Sequence, residues 1–333
     1  MDSARAEAVY AGAARQALDA FGIRPAALQF EHLSENVTFR VTDASDGARL
    51  VLRLHRPGYH DLAALRSERM WTRALRDAGI AAPQGVRSPA GEDYVCVPVP
   101  GAGEDRWAGL ARWIEGEILA DIVQAEADIA ANARHFHQLG ALIAALHRQA
   151  SGWTPPAGFR RHALDADGLM GPAPFWGAFW RHPVLSPAEQ DLLLAARDRL
   201  HAALSRYGKD PRTWSLIHAD LHPRNVLVGP GGAAVIDFDD AAFGWRLYDL
   251  AVALHGYQDH PGFAAFRAAC LAGYASVFSL PADAEALLPM FLLIRGLALM
   301  GWLHQRPEVT SNARAREFAD AACRGAAAFV PSL

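Results

Sequence analysis

Oxygen-bearing side chains late in the chain have the types and spacing expected of a magnesium site. Two short β-rich runs, 226–228 and 233–236, flank a Gly-Pro-Gly-Gly sequence, which is typical of a tight hairpin. Antiparallel pairing across that turn makes Asn225, just before the first run, a near neighbour of Asp237, just after the second. Amide and carboxylate oxygens suit Mg²⁺, which shares its remaining positions with phosphates and water. Asp220, on the preceding loop, is then available as a base.

The same residues carry a resemblance to a known superfamily. His218-x-Asp220 followed by Asn225 resembles the catalytic loop of protein-kinase-like enzymes, and Ile-Asp237-Phe resembles their metal-binding Asp-Phe-Gly. The details are similar to the aminoglycoside phosphotransferase and choline kinase branch, and within it to bacterial stress-response kinases and type II homoserine kinases. The resemblance implies a bilobal α+β fold, with a small antiparallel-sheet lobe carrying one key helix and a larger, mainly helical lobe.

The resemblance also implies ATP- and Mg²⁺-dependent phosphorylation of a hydroxyl group. Asp220 is then the catalytic residue, which accepts or orients the hydroxyl proton, while Asn225 and Asp237 hold the metal. We expect His218 to hold the loop by packing and hydrogen bonding rather than to transfer protons. His222 has no assigned chemistry.

Two alternatives belong to other classes of function. A metal hydrolase could use His218, Asp220 and His222 as ligands of a transition metal. Alternate residues on a loop need not converge, however, and this interpretation leaves Asn225 and Asp237 without a role. A nucleotide-binding pseudokinase is the other alternative, because Arg53 stands where protein kinases have a lysine.

The composition of the 333-residue chain indicates which classes of partner and which compartment to expect. A net charge of −4 gives no polycationic surface, so nucleic acid is not expected as a partner. Three cysteines without paired spacing and an N-terminus without a signal pattern predict a cytoplasmic protein. The longest apolar run, 286–303, has Arg295 at its middle, which predicts a buried helix rather than a membrane span. The oligomeric state is left open.

Residues 1–112 are predicted to form the nucleotide-binding lobe. A strand, turn and strand unit and a later strand pair would make a small sheet that carries one helix. The predicted elements are a helix over 1–22, strands Val37–Val41 and Leu50–Leu54, a helix over 61–78, and strands Tyr94–Val99 and Leu110–Ile114.

Five residues of this region and its exit are candidates for nucleotide binding by resemblance. Arg53 would contact the phosphates, with a solvated strand arginine as the alternative. Glu68 falls within the apolar face of its helix, so it needs a cation; Arg53 is favoured over neighbouring surface arginines. Asn36 belongs to a loop that would lie over the phosphates, or to an ordinary surface loop. Arg112 and Ile114 lie at the connector that would offer backbone groups to the adenine.

Residues 113–333 are predicted to form the helical catalytic and substrate lobe. An irregular insertion over 151–187, rich in Pro, Gly, Trp and Phe, is positioned to shape a substrate pocket. By resemblance, Asp249 would brace the catalytic loop backbone from near the start of a helix. The other predicted helices cover 119–129, 131–149, 187–206, 264–278, 284–303 and 312–328.

The acceptor is less constrained than the reaction. The connector between Asp237 and the helix of Asp249 is short, whereas eukaryotic protein kinases use a longer segment there to dock peptides. A small hydroxylated acceptor, such as an aminoglycoside, homoserine or a choline-like molecule, is therefore expected. A protein substrate is the alternative, because the stress-response branch is associated with Ser/Thr phosphorylation. Asp239 and Asp240 could attract a cationic acceptor; the alternatives for Asp239 are a further metal ligand or a loop cap.

Overall fold

The computed structural model describes residues 3–33, 36–307 and 311–329. The chain divides into two compact units, and neither is a continuous segment. The division at 112/113 expected from the sequence treats the lobes as consecutive, whereas the chain first leaves unit 1 at Gly116 and later returns to it. Unit 1 comprises Met1–Gly116, Pro155–Arg160 and Leu227–Asp239, and unit 2 comprises Glu117–Thr154, Arg161–Val226 and Asp240–Leu333.

The secondary structure mixes strands and helices in the first part of the chain and is mainly helical afterwards. Single 3-10 turns lie at Phe179–Arg181 and Pro223–Asn225. In chain order the elements are α1 (Ser3–Ala20), β1 (Pro25–Leu33), β2 (Val37–Asp43), β3 (Arg49–Leu54), α2 (Leu62–Asp77), β4 (Gly85–Val86), β5 (Tyr94–Val99), β6 (Glu104–Arg112), β7 (Glu117–Ile118), α3 (Leu119–Ala125), α4 (Ile129–Gly152), β8 (Ala163–Leu164), α5 (Ala166–Met170), α6 (Pro187–Tyr207), β9 (Trp214–Ile217), β10 (Val226–Gly229), β11 (Gly232–Val235), β12 (Ala242–Trp245), α7 (Arg246–His255), α8 (Phe263–Ala275), α9 (Ala284–His304) and α10 (Asn312–Phe329).

Unit 1 is built on a six-stranded sheet in the order β1-β2-β3-β6-β4, with β5 paired to β6. Alternation along β3 buries Leu50, Leu52 and Leu54, as the pattern predicts, and places Arg53 on the other face. The apolar side of α1, including Ala14 and Ala17 at helical spacing, belongs to the same core as the three leucines. The core therefore packs against the leucine face of β3, and the half-buried Arg53 lies on the opposite face.

Three strands of this sheet differ from the sequence prediction, and the short β4 (Gly85–Val86) is one that was not predicted. β1 was not predicted, because its edge position leaves most of its side chains exposed or half-buried and its apolar residues do not alternate cleanly. β6 begins at Glu104 and ends at Arg112, whereas a strand over Leu110–Ile114 was expected. Pairing of β5 with β6 explains the shift, since the ladder runs from the Val99–Glu104 pair to the Tyr94–Gly109 pair.

The predicted hairpin of β10 and β11 is present. Its second strand, β11, contacts the chain just after the end of α2. Ala234 forms a parallel bridge with Ala81, and the Val235 N–H donates to the Ala81 carbonyl at 2.9 Å. Phe238, which follows the hairpin, packs edge-on against Trp71 of α2, with ring centroids 5.3 Å apart. These contacts explain why Leu227–Asp239 belongs with the N-terminal sheet.

Unit 2 is a set of helices around α4, α7 and α9, with a small sheet in the order β8-β12-β9. The long helices lie where they were expected, and the region 151–187 is largely irregular, with β8, α5 and one 3-10 turn inside it. Among the described helices, α9 is the one long and apolar enough to cross a membrane, and 67% of its apolar window is buried within the protein.

Helices α4 and α8 approach each other at glycines. An added methyl group at Gly140 would lie 2.0 Å from the carbonyl oxygen of Cys270, and one at Gly273 would lie 1.9 Å from that of His137. Both blocking atoms belong to the backbone, so relief requires the helices to separate. The two glycines therefore fix the distance between these helices.

Gly140→Ala is expected to lower the free energy of unfolding by about 3 kcal/mol, because overpacking at a helix contact forces backbone shifts. Gly152→Ala, at the end of the same helix with no atom within 4 Å of the added methyl, is the matched control. Chemical denaturation of both variants measures the difference. Equal unfolding midpoints for the two variants would contradict the close approach.

Candidate active site

The predicted catalytic loop begins directly after β9 and is held by a buried carboxylate. Asp249, fully buried near the start of α7, accepts hydrogen bonds from the backbone N–H groups of His218 at 2.9 Å and Ala219 at 2.7 Å. Ala219 has a left-handed φ of 67°. A non-glycine residue in that conformation needs such support, and the cost is typical of functional loops. The predicted brace by Asp249 is confirmed.

A second buried layer holds Asp249 itself. His147 of α4 lies with Nε2 3.0 Å from the Asp249 carboxylate and Nδ1 3.0 Å from the Tyr274 hydroxyl. Burial lowers the pKa of His147, and Asp249 opposes that shift. A neutral imidazole can donate at one nitrogen and accept at the other, so it joins carboxylate and phenol without an added charge. The loop is thus anchored to three helices.

The carboxylate of Asp220 is held by three side chains of unit 2. Arg295 Nη2 lies 2.6 Å from Oδ1, while Asn225 Nδ2 donates to Oδ2 at 3.1 Å and His222 Nε2 lies 3.4 Å from Oδ2. Burial alone would raise the pKa of Asp220, but His222 and Arg295 outweigh it and hold the pKa below its usual range. Asp220 is therefore an oriented anion at neutral pH.

The side chain of Asn225 has the orientation that a metal ligand requires. Its Nδ2 donates to both the backbone carbonyl of Asp220, at 2.8 Å, and the carboxylate, at 3.1 Å. With the nitrogen fixed in this way, the amide oxygen is the atom left to meet a cation, and oxygen is what Mg²⁺ prefers. The residue is 7% exposed at the end of a 3-10 turn. The Asn225 amide oxygen is therefore a hard donor of the kind that Mg²⁺ takes, and its binding of a metal stays a prediction.

Asp237, the other predicted metal ligand, belongs to unit 1 and forms an ion pair there. Its Oδ1 lies 3.0 Å from Arg53 Nη1, and 39% of its side chain is exposed. Asp237 has a left-handed φ of 64°, and it and Ala219 are the non-glycine residues with positive φ among those the structure describes. Burial would lower the pKa of Arg53, but Asp237, followed by Glu68 and Asp239, raises it instead.

The partner of Arg53 differs from the one we favoured from the sequence. Within the described ranges, the ion pair of Arg53 is with Asp237 rather than with Glu68. Glu68 is 6% exposed on α2, and its Oε2 has no hydrogen-bond partner. It acts on Arg53 electrostatically, which agrees with its predicted inward direction. Helical periodicity predicted the direction of Glu68 correctly. It could not predict the ion pair of Arg53 with Asp237, because Asp237 lies 184 positions later in the sequence.

Asn36 is engaged within unit 1. Its Nδ2 donates to Asp239 Oδ2 at 2.9 Å, and its Oδ1 accepts from the Arg56 N–H at 3.1 Å. Asn36 is 7% exposed, so its amide is directed into the protein. Ser34 and Glu35, the other residues of the loop predicted to cover the phosphates, lie outside the described residues. Binding of nucleotide by this loop stays a prediction.

The two residues predicted to border the adenine lie at and beyond the end of β6. Arg112 is the last residue of that strand, and its N–H donates to the Gln84 carbonyl at 2.8 Å. Ile114 is half-buried after the strand. Their contact with a nucleotide stays a prediction.

Asp239 and Asp240 are adjacent in sequence but have different surroundings. Asp239 is 6% exposed in unit 1; Asn36 donates to its carboxylate, and His60 Nε2 lies 2.7 Å from its backbone carbonyl. Asp240 belongs to unit 2 and is half-buried, with the indole of Trp176 donating to it at 3.4 Å. Trp176 stacks on Tyr248, with centroids 6.0 Å apart. Of the two carboxylates, Asp240 is therefore the one that accepts a hydrogen bond from a stacked aromatic pair.

Comparison with known proteins agrees with this chemistry. The family model described as the phosphotransferase enzyme family matches residues 27–289. This chain belongs to that family. The amicoumacin kinase of Bacillus subtilis (strain 168) is 25% identical over 252 residues, which cover 72% of this chain and 69% of that protein. A homoserine kinase of Pseudomonas aeruginosa (strain LESB58) is 31% identical over 167 residues, or 48% of this chain and 49% of that protein.

Solved structures give the same result for the fold. A microcompartment-associated aminopropanol kinase is 32% identical, with a TM-score of 0.83 over 97% of this chain and 98% of that one. An amicoumacin kinase in complex with AMP-PNP and Ca²⁺ has a TM-score of 0.77 at 20% identity, over 97% and 96% of the two chains. The predicted α+β kinase-like fold and the resemblance to this phosphotransferase family are confirmed.

Within this phosphotransferase family member, the metal-hydrolase alternative finds no support. His218 Nδ1 accepts from the Asp220 N–H at 3.3 Å, and His222 Nδ1 accepts from the Arg224 N–H at 3.2 Å, so both rings serve the loop. Across residues 3–33, 36–307 and 311–329, no group of three or more His, Cys, Asp or Glu side chains could hold a metal ion. The loop role predicted for His218 agrees with this geometry.

Arg295 is the residue of the phosphotransferase site that the sequence did not assign. It is the single charge within the apolar run 286–303, where it predicts a buried helix rather than a membrane span, but nothing in the run names its partner. A charge on an otherwise buried helix must be neutralised or hydrogen-bonded, and that requirement was the available signal. The pairing with Asp220 spans 75 positions and is visible only in the fold.

Proposed function

We propose that this phosphotransferase transfers the γ-phosphoryl group of ATP to a hydroxyl group of a small molecule. The observation that carries the proposal is the Asp220 carboxylate, ionised and oriented by Arg295 and Asn225 on a loop that Asp249 braces. Membership of the phosphotransferase family agrees with it. A fixed anion of this kind is what a hydroxyl nucleophile needs beside it during phosphoryl transfer.

The chemical step uses Asp220 as the proton acceptor. The hydroxyl oxygen of the acceptor forms a bond to the γ-phosphorus while the bond from that phosphorus to the β–γ bridging oxygen breaks. The electron pair of the broken bond leaves on ADP, and the hydroxyl proton passes to the Asp220 carboxylate. Orientation of the carboxylate before the reaction avoids the cost of ordering it in the transition state.

The metal assignment follows from the sequence and remains part of the proposal. Asn225, through its amide oxygen, and Asp237, through its carboxylate, would hold Mg²⁺. When bound, the ion neutralises the charge on the phosphate oxygens. Arg53 forms an ion pair with Asp237 within unit 1, and its guanidinium also suits contact with phosphate.

We propose further that the acceptor is a hydroxylated amine. Asp240 supplies a half-buried carboxylate to which the indole N–H of the buried Trp176 donates, and a carboxylate suits an ammonium group. The structural relative at 32% identity is named for aminopropanol, which carries both an amine and a hydroxyl. Asp239 is not part of this proposal, because it is engaged with Asn36.

An ATP-consumption screen tests the reaction. The panel contains aminopropanol, homoserine, choline, aminoglycosides, methylthioribose and a protein substrate. We expect turnover with at least one small hydroxylated amine and none with the protein. Turnover with the protein alone would favour a Ser/Thr protein kinase, and magnesium-dependent ATP binding without turnover would favour a pseudokinase.

Asp240→Asn is expected to raise the KM for an amine acceptor about tenfold, which corresponds to ~1.4 kcal/mol of lost charge attraction. The KM for ATP should change less than twofold, because Asp240 has no role in the nucleotide assignment. Steady-state kinetics with both substrates varied measure this difference. Asp259→Asn, at an exposed carboxylate of the same unit, is the control. An unchanged acceptor KM would remove Asp240 from acceptor binding.

A further inference from the structure

We propose that Arg295 is a positioning residue for phosphoryl transfer: it fixes the Asp220 carboxylate and, through it, the amide of the metal ligand Asn225. The inference rests on the proposed function, since it gives Asp220 its role as proton acceptor. It begins from the contact between Arg295 Nη2 and Asp220 Oδ1 at 2.6 Å, which is a short, charge-assisted hydrogen bond.

The location of Arg295 makes this contact rigid. The residue is 7% exposed in the middle of α9, where its neighbours Phe291, Leu292, Ile294 and Leu297 are buried apolar residues. A guanidinium in such surroundings costs free energy unless it is paired, whereas an apolar side chain would pack there without that cost. Helix α9, which is distant from the catalytic loop in sequence, thus places the Arg295 guanidinium against that loop.

The contacts on Asp220 divide between its two oxygens. Arg295 takes Oδ1, and Asn225 Nδ2 donates to Oδ2 at 3.1 Å. A carboxylate that could rotate would carry Oδ2 away from that donor. Arg295 opposes this rotation and so maintains one of the two hydrogen bonds that hold the Asn225 amide nitrogen, the other being to the Asp220 backbone carbonyl at 2.8 Å. The base and the metal ligand are therefore oriented together.

The other charged and polar groups around Arg295 agree with a positioning role. Tyr248 and Asp240 lie within electrostatic reach of its guanidinium. Both belong to the start of the last segment of unit 2, Asp240–Leu333. His255, at the end of α7, lies within electrostatic reach of the same guanidinium. Asp220 is the residue with which Arg295 forms its direct ion pair among the contacts described.

Arg295→Gln and Arg295→Lys test the inference. We expect Arg295→Gln to lower kcat about 30- to 100-fold, since misplacement of a reacting group by about 1 Å has effects of this size. The KM for ATP should stay within twofold. Arg295→Lys keeps the charge but replaces the planar fork with a single ammonium, so it should recover part of the loss and retain a kcat three- to tenfold below wild type.

Arg306→Gln is the matched control, because Arg306 is 1% exposed just after the end of the same helix and lies outside the proposed machinery. It should lower the unfolding midpoint while kcat changes less than twofold. A kcat of Arg295→Gln within twofold of wild type would overturn the inference. If Arg295→Gln does not fold, Arg295→Lys decides, and wild-type kcat in that variant would overturn it.

A double-variant cycle separates this inference from the proposed function. If no acceptor is turned over by the wild type, the proposed function fails, but the unfolding midpoints of Arg295→Gln, Asp220→Asn and the double variant still measure the pair. We expect the double variant to lose less than the sum of the single losses, because each single change leaves one buried partner unpaired. Additive losses would overturn the pairing on which the inference depends.

Discussion

Asp220→Ala is expected to lower turnover of the acceptor at saturating ATP by about 10³-fold, because the reaction then lacks its positioned proton acceptor. The KM or Kd for magnesium–ATP should change little, since Asp220 is assigned to the hydroxyl rather than to the nucleotide. Single-turnover kinetics and equilibrium binding of ATP measure the two quantities separately. Asp220→Asn, which retains the shape of the side chain, should show a loss of similar size.

Two controls make the Asp220 result specific. Asp198→Ala, at an exposed carboxylate of α6 in the same unit, should leave turnover unchanged. The unfolding midpoint of Asp220→Ala must be reported beside its kinetics, because Arg295 loses its ion-pair partner in that variant. A well-folded Asp220→Ala protein with turnover within tenfold of wild type would contradict the assigned mechanism.

Asp249→Ala is expected to lower the free energy of unfolding by about 3–5 kcal/mol, the range found when one partner of a buried charged network is removed. The change removes the acceptor of two backbone N–H groups and of His147, all of them buried. Unsatisfied buried donors carry their full desolvation cost. Chemical denaturation measures the loss of stability.

Asp249→Ala should also lose turnover. The left-handed conformation of Ala219 depends on the hydrogen bond that its N–H donates to Asp249, and the catalytic loop would change shape without it. Asp249→Asn offers one amide oxygen in place of two carboxylate oxygens, so we expect a smaller loss of stability than in Asp249→Ala. Asp191→Ala, at an exposed position of α6, is the control. A loss below about 1 kcal/mol in Asp249→Ala would show that the brace is dispensable.

The parts of the fold that were predicted correctly are those with local signals. β3 has a clean two-residue alternation, the hairpin of β10 and β11 is marked by its turn residues, and α4 has a strong helical periodicity. The unpredicted strand β1 lacks such a signal, because it is an edge strand with mostly exposed or half-buried side chains. Local geometry is readable from the sequence where burial imposes a period.

The candidate site divides in the same way. The sequence alone indicated the reaction class, because Asp220, Asn225 and Asp237 lie in one short stretch that resembles the catalytic motifs of protein-kinase-like enzymes. Only the tertiary structure decided the partners of the site residues. Asp220 forms an ion pair with Arg295, Asp237 forms one with Arg53, and Asn36 donates a hydrogen bond to Asp239. The last pair is separated by 203 positions. Such pairings depend on how helices and strands pack, and no local periodicity encodes which buried charge meets which partner.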